Sequence, residues 1–596
     1  MRFRLALASV LIISTILRFY NLDWSRSIIW HPDERNMAMA IEQMRLPDKL
    51  TDLQTCFTKT STLPTTNPAS AGPRSGGGYQ LQTISCNFNP HFFAYGGLPL
   101  YLSFFGSVFY KSVTHLQLIR QVNFQEATMS LRILSALSSV LTVFAVYLIG
   151  KLFFSRQLAI LTALLTAFIP SLIQSAHFGT TESLLGFFLL LITYSSVKFY
   201  LSGKLKYLIY GAILVGLALG TKISVISFIT GPIIALIFML FIEMKQSLKT
   251  GIVNLIKRLV LFTPISILVT FLAAPFNLLA FDEFKKLFDY DIPVALGKLP
   301  VFYTEQFVNT TPIVFQLQKI LPYALGLALT ITGTTAIFIC LSYAIIRKRL
   351  EILILFFGFL PFLILNLFYF TKWTRYISPT FPFFALSFVL LLSLFENKSI
   401  RKSIAAVILL FSIIQGLAMF SIYAKEDTRF AASNWIYKNI PSGSIVLSET
   451  ANVSDVPVFA ENITPSNYNI KNVIFNFYDL DVSRQLQNDL IRNLTEADYI
   501  IVPSRRIFKN YQRLKDKYPI VNNYYKNLFG GGLGFEEVAR FTSFPQLSQP
   551  KAGPPLVEIN DEDSEETFTV FDHPVIRIFK KTRPIKTEIY YRLLGI

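Results

Sequence analysis

Ile29-Trp30-His31-Pro32-Asp33-Glu34-Arg35 is the stretch from which the rest of the chain can be read. It follows the first apolar segment closely and sets two adjacent carboxylates beside a histidine. Pro32 suits the first turn of a helix, where its missing N–H is not needed, and acidic residues favour that same end. Met37, Ala40, Ile41 and Met44 then recur at helical spacing. The pattern predicts a short amphipathic helix lying on a bilayer, with Trp30 as an interfacial anchor. Neighbouring helical residues point about 100° apart, so Asp33 and Glu34 cannot share one role, and at most one faces a substrate.

A surface helix of that kind needs a membrane, and the composition supplies one. The chain has 596 residues, of which 52% are hydrophobic and 56 are Phe, with a mean hydropathy of +0.47. That excludes an ordinary soluble protein and implies a polytopic membrane protein. The net charge of +18 does not point to nucleic acid, because the basic residues cluster in short loops between apolar spans. The N-terminus carries Arg2 and Arg4 before an apolar run, but that run ends in Arg18-Phe19-Tyr20 rather than small residues. It reads as an uncleaved first span.

Taking apolar runs of roughly 17 to 25 residues gives about eleven spans. They lie near 4–20, 127–150, 158–175, 183–200, 207–220, 223–242, 258–275, 320–346, 350–370, 377–395 and 404–423. Basic residues gather in alternate loops: Lys151 and Arg156; Lys198, Lys204 and Lys206; Lys245 to Arg258; Arg347 to Arg349; Lys398 to Lys402. All fall on one side when the N-terminus is cytoplasmic, the expected pattern for a multi-pass protein of the cell membrane. The long loop 21–126, a second loop from 276 to about 318 and the C-terminal segment are then external. The middle of the first loop, 60–78, is rich in Thr, Pro, Ser and Gly and reads as a mobile connection. Cys56 and Cys86 share that loop, where a disulfide is allowed but not required, and Cys340 sits inside an apolar run as packing.

The organisation is thus a membrane module, 1–424, followed by a polar external domain, 425–596. In the latter, 430–439 reads as a helix, 444–447 and 497–502 as strands, 511–518 as a helix, and 568–571 and 575–579 as late strands. The fold class is mostly α: a polytopic helical bundle with a C-terminal α/β domain. Gly530-Gly531-Gly532-Leu533-Gly534 lacks an incoming strand and reads as a flexible connection, not a phosphate loop. The acidic run 561–566 reads as a solvated loop. Asn309, Asn452, Asn462 and Asn493 head N-x-Ser/Thr triplets that carry no weight without a known host.

The chemistry-bearing residues near outer span ends are Asp33, Glu34, His91, Glu182, Lys222, Lys372, Arg375 and Tyr376. Ionisable groups at membrane depth are costly and default to a functional reading. A phosphate leaving group needs positive charge rather than a proton donor, and Lys222 and Arg375, with Tyr376, provide it. An acceptor hydroxyl needs a base, and Asp33 or Glu34 provides one. Glu182 and His91 are further candidates. His91 and His31 read more simply as packed histidines than as metal ligands, and His573 carries no assigned chemistry. No cofactor is called for, although the acids are compatible with a divalent metal.

The order of these features resembles the GT-C glycosyltransferases, in the branch of the protein O-mannosyltransferases and lipid A aminoarabinose transferases. An acidic pair follows the first span (Asp33-Glu34), and an aromatic-proline stretch closes the first outer loop (Pro90 to Tyr101). A polar turn carries a second acid (Gly179-Thr180-Thr181-Glu182), and Gly220-Thr221-Lys222 and Arg375-Tyr376, with Pro379 and Pro382, follow. The family usually has Asp where this chain has Glu182, and the Trp-Trp-Asp signature of oligosaccharyltransferase catalytic subunits is absent. The resemblance covers 4–423. It implies transfer of a single sugar from a polyprenyl-phosphate donor to an external protein hydroxyl, lipid or glycan, with Asp33 as base. The rival class is a transporter or flippase for a lipid-linked sugar, which tends to show related halves and helices broken at the midplane; no such symmetry is evident here.

Overall fold

The computed structural model describes residues 2–57, 86–450, 453, 456–458, 468–549 and 553–596. The stretch 60–78 and the triplets at Asn452 and Asn462 lie outside them. Two compact units emerge. One comprises Met1–Asp23, Pro32–Leu296 and Thr311–Phe420; the other comprises Trp24–His31, Gly297–Thr310 and Ser421–Ile596.

The first unit is a helical bundle. Among the described residues, eight helices are long and apolar enough to cross a membrane: Phe124–Phe153, Glu182–Ser202, Ile223–Met244, Leu248–Ala273, Leu327–Ile346, Leu350–Phe368, Thr374–Ser393 and Lys398–Tyr423. A ninth counts if Arg156–Ala167 and Pro170–Ala176, bent by 61°, are one span. Arg2–Phe19 and the shorter Leu205–Thr221 occupy the remaining expected positions.

The bend has a local cause. Pro170 cannot continue the preceding helix, and the last carbonyls before it are met by a side chain. Arg18, fully buried, donates to the Ala167 carbonyl at 3.0 Å and to Ser139 Oγ at 2.7 Å. The charge that ends the first span therefore caps a neighbouring helix. The expected span 320–346 is shorter than its apolar run, because Gly326 (φ +84°) interrupts it and the helix begins at Leu327.

The helix Pro32–Glu42 forms as the sequence predicts, but its apolar face is covered by protein. Met37, Ala40, Ile41 and Met44 are 0–2% exposed and pack with Cys56, Cys86, Phe88, Leu100 and Phe104. Cys56 and Cys86 are disulfide-bonded, and Cys340 is buried. An amphipathic pattern specifies an apolar face and not what covers it; here protein does, and each large side chain so buried stabilises by about 1.5–3 kcal/mol. Trp30 is no interfacial anchor either. It is buried in the second unit, with the Arg429 guanidinium 4.5 Å from its ring centroid.

The second unit is α/β. Its strands are β1 (Ile445–Glu449), β2 (Lys471–Phe475), β3 (Tyr499–Val502), β4 (Phe535–Phe541), β5 (Gln546–Leu547), β6 (Val557–Glu558) and β7 (Ile576–Lys581). Five form one sheet in the order β2-β1-β3-β7-β4, parallel from β2 to β3 and antiparallel from β3 to β4. Helices Thr428–Asn439, Arg484–Glu496, Pro519–Phe529 and Thr587–Leu594 cover it.

Three sequence expectations fail in this unit. Residues 511–518 are not one helix: Phe508–Tyr511 ends early, and Pro519 starts the next helix. Residues 568–571 are a 3-10 turn and its exit rather than a strand. The run 561–566 is not a solvated loop, since Asp561, Glu565 and Glu566 are each 1% exposed. Their charges are matched inside: Asp561 by His573 Nε2 at 2.8 Å, Glu566 by Arg506 Nε at 2.6 Å, and Glu565 by the Gln306 side-chain amide at 3.0 Å. A run of like charge looks solvated in sequence because its partners lie far away along the chain. The glycines at 530–534 form the tight turn from Pro519–Phe529 into β4, with Gly531 and Gly534 at positive φ.

Candidate functional site

The first turn of Pro32–Glu42 divides its two acids between different neighbours. Glu34 is wholly buried. Its carboxylate takes Arg132 Nε at 2.6 Å and Nη2 at 3.1 Å, and the Gly179 N–H donates to Oε1 at 2.7 Å. Arg132 also donates to the Leu22 carbonyl at 2.6 Å, so a charge within an apolar span is fully engaged. The closeness of Glu34 to the 179 backbone requires glycine there: a Cβ would stand 2.6 Å from Leu131 Cβ and 2.9 Å from Glu34 Oε1. Glu34 thereby fixes the turn that leads into Glu182, the first residue of Glu182–Ser202.

Asp33 faces the other way. It accepts from Tyr95 Oη at 2.7 Å and pairs with Arg375 Nη1. Tyr95 reaches it through a close backbone approach. The Gly96 N–H donates to the Thr221 carbonyl at 2.8 Å, and a Cβ on Gly96 would collide with the Gly220 carbonyl. The same contact sets the Tyr95 ring over Lys222, the residue at which Leu205–Thr221 ends. Lys222 Nζ lies 4.9 Å from the Tyr95 ring centroid and 5.0 Å from that of Tyr376. Among the described residues no hydrogen bond reaches this ammonium; two aromatic faces hold it instead. Arg375 lies over the rings of Trp373, at 5.0 Å, and Tyr376, at 5.7 Å. Its buried Nε has no hydrogen-bond partner.

Glu182, Lys222, Arg375, Tyr376 and Asp33 therefore belong to one electrostatic cluster. Asp291, first residue of the short helix Asp291–Ala295, joins it and interacts with Asp33 and Lys222. Burial, and then the Asp33 charge, raise the Asp291 pKa, against the pull of Lys222. Burial, followed by Asp33, holds the Tyr95 phenol well above its usual range, so it stays a proton donor to Asp33.

His91 lies instead against Glu283, Nδ1 to Oε2 at 2.8 Å, joining the two long loops. Lys372 is buried and donates to the Phe370 carbonyl at 2.9 Å. His31 packs on Phe571 with ring centroids 4.4 Å apart. No group of three or more His, Cys, Asp or Glu side chains arranged to hold a metal occurs among the described residues. Sequence reasoning missed Tyr95, Arg132 and Asp291. Arg132 had a readable signal, a lone charge inside an apolar run; Asp291, an acid in a polar loop, had none.

Residues 116–270 match the family described as dolichyl-phosphate-mannose-protein mannosyltransferase. The matched segment contains Glu182 and Lys222, while Asp33 and Arg375 lie outside it. No curated protein sequence matches the chain. Among solved structures, the oligosaccharyltransferase of Archaeoglobus fulgidus in the apo form aligns over 88% of this chain and 72% of its own, at 15% identity and a TM-score of 0.47. AglB of the same organism, in complex with an inhibitory peptide and a dolichol-phosphate, aligns over the same shares at 13% identity and 0.47. ArnT from Cupriavidus metallidurans bound to undecaprenyl phosphate aligns over 86% of this chain and 94% of its own, at 13% identity and 0.43. Such scores carry no argument about a site.

Proposed function

We propose that this polytopic membrane glycosyltransferase moves a single sugar from a polyprenyl-phosphate donor to an acceptor outside the cytoplasm, inverting the anomeric centre. The observation that supports this most is the arrangement around Arg375. One guanidinium holds Asp33 and keeps a free Nε, while among the described residues the ammonium of Lys222 rests on aromatic rings without a hydrogen bond. Two cations with spare donors suit a phosphate.

A donor phosphate competes with Asp33 for Arg375. As the guanidinium turns to the phosphate, Asp33 keeps the Tyr95 hydrogen bond on Oδ2 while its charge is released from the ion pair. The acceptor O–H then gives its proton to Asp33, and its oxygen forms the bond to the anomeric carbon. The carbon–oxygen bond to phosphate breaks, and the electron pair leaves on the polyprenyl phosphate, whose new charge Lys222 and Arg375 stabilise. A single displacement of this kind, with the acceptor entering opposite the leaving phosphate, inverts the anomeric centre. Glu34 acts through position, holding the helix that carries Asp33 against Arg132 and Gly179.

The chain sits in the cell membrane with its N-terminus cytoplasmic and residues from 425 outside, the orientation that the loop charges favour. A Cys56–Cys86 disulfide suits an oxidising exterior. Protease added to spheroplasts should degrade the C-terminal unit, and its full protection would overturn the orientation. The reaction is tested by incubating membranes with radiolabelled polyprenyl-phosphate sugars and following the label. Transfer to an external acceptor in wild type, lost in Asp33→Asn, is expected. Label that crosses the membrane still attached to its lipid would refute transfer.

A further inference from the structure

The second unit contains a cleft of about 390 Å³ between the helix ends around Phe508 and Phe529 and the antiparallel side of the sheet. That volume lies within the range of small-ligand pockets, about 300–1,000 Å³. Its floor is aromatic. Phe529, 44% exposed, meets Phe508 at 5.1 Å and Phe579 at 5.9 Å between ring centroids. An exposed phenylalanine at the centre of an aromatic cluster is a surface that water solvates poorly and a flat apolar ligand face would cover.

The rim is polar in a particular way. Most of its charges are already paired with one another, Glu536 being the exception among the described residues, so the cleft offers hydrogen bonds and no excess of cations. Arg577 Nη2 donates to both oxygens of Glu562 at 2.7 and 2.8 Å, and Arg540 forks onto Glu537 at 2.7 and 2.8 Å. Lys509 pairs with Asp563. A cleft built for an anion would leave cations unopposed. One donor is nevertheless left over. Arg577 is only 7% exposed, and its buried Nη1 has no hydrogen-bond partner. A buried guanidinium N–H without an acceptor is costly unless a ligand supplies one.

An apolar aromatic floor, a rim of neutralised donors and acceptors, and one unfilled N–H together match a neutral polyhydroxylated ring. Its axial C–H groups cover the phenylalanines while its hydroxyls accept from Arg577 and donate to Glu562 and Glu537. We propose that this cleft binds a saccharide. The inference deepens the reading above by making the acceptor a glycan, the C-terminal unit holding part of it.

The test uses the full chain in a detergent without a sugar headgroup. Binding of cellobiose, mannobiose and chitobiose is followed by saturation-transfer NMR and calorimetry, with glucose 6-phosphate and an oligo-aspartate peptide as comparators. At least one neutral disaccharide should saturate a single site. Phe529→Ala, at an exposed position that does not threaten folding, should weaken it by about tenfold or more. Arg540→Ala, which leaves Glu537 unpaired at the rim, should weaken it less. Asp33→Asn should bind the disaccharide as wild type does, so the cleft stands or falls independently of the transfer reaction. No saturable binding of any neutral disaccharide, binding unaltered in Phe529→Ala, or preference for the phosphate or the acidic peptide would each overturn the proposal.

Discussion

Two groups of charged side chains, one in each unit, use the same residue types and differ in whether they are closed. In the second unit, His573 is held between Asp572 at 2.5 Å and Asp561 at 2.8 Å. Asp572 also takes the Tyr423 hydroxyl at 2.7 Å, and Arg429 meets Asp427 at 2.9 Å. Each of these cations has its acid. In the membrane unit, Asp33, Glu182 and Asp291 interact electrostatically with Lys222, yet among the described residues no oxygen bonds its ammonium, and Arg375 keeps an unfilled Nε. A network whose cations are all matched holds the fold. An open one, at the same cost of burying charge, keeps capacity for something that arrives.

The sharpest way to break that contrast is to neutralise the acid at its centre. Asp33→Asn keeps the size of the side chain and removes its basicity. Turnover should fall by about 10²–10⁴, the typical contribution of a positioned base. Donor affinity should hold or improve, because Arg375 loses its resident anion. Near-normal turnover, or a product that keeps the donor's anomeric configuration, would show that Asp33 is not the base.

On the closed side the effect should appear in stability. His573→Gln strands Asp561 and Asp572, and losing one partner of a buried pair costs about 3–5 kcal/mol. Burial alone would lower the His573 pKa, but Asp561 and Asp572 outweigh it and push it up to about 10. A raised pKa stabilises the folded state fully below the unfolded value, about 6.5, and that contribution is lost as pH rises through about 10. Wild type should thus lose thermal stability between pH 7 and 10, and His573→Gln should show a flatter profile over the same window. A variant as pH-dependent as wild type would assign the loss elsewhere.

Glu34 tests whether the open cluster leans on a closed one. Glu34→Gln leaves Arg132 uncompensated and should lower the melting temperature, with a cost of up to about 3–5 kcal/mol. Turnover should fall less than in Asp33→Asn and through position. A variant of full stability with no turnover would make Glu34 a reacting group.

The smallest expected effects concern the two cations. Lys222→Ala and Arg375→Ala should each weaken donor binding by roughly 10- to 100-fold, the scale of a charged hydrogen bond. Arg375→Lys should restore little, since a single ammonium cannot replace a guanidinium fork on a phosphate. Unchanged donor affinity in both alanine variants would leave the open cluster without a ligand.

How much of this was legible in sequence depends on where each partner lies. The different facing of Asp33 and Glu34 follows from helix geometry within a single turn. The bundle follows from apolar runs, and the C-terminal α/β unit from the shift to polar composition. What could not be read is what covers a face. Met37 and Ile41 announced an apolar stripe and gave no means to choose lipid or protein. Asp561 to Glu566 looked solvated because His573 and Arg506 are not their neighbours in the run. Asp291 looked like any loop acid until Asp33 and Lys222 stood beside it. Gly96 and Gly179 gave no warning either, although the cluster depends on the backbone approaches they permit.

The composition of the second unit bears on how the protein is made. Trp24–His31, which it includes, is synthesised well before Ser421–Ile596. Trp30 waits for Arg429, and Arg26 for Glu426, until that later segment has been made. Pro32, the next residue, opens the helix that carries Asp33. A nascent or truncated chain can therefore insert most of its spans while the segment leading into its acidic turn is still without its partners. Trp24–His31 gains its packing partners only once Ser421–Ile596 has followed it, so the second unit closes late although one of its pieces is made early.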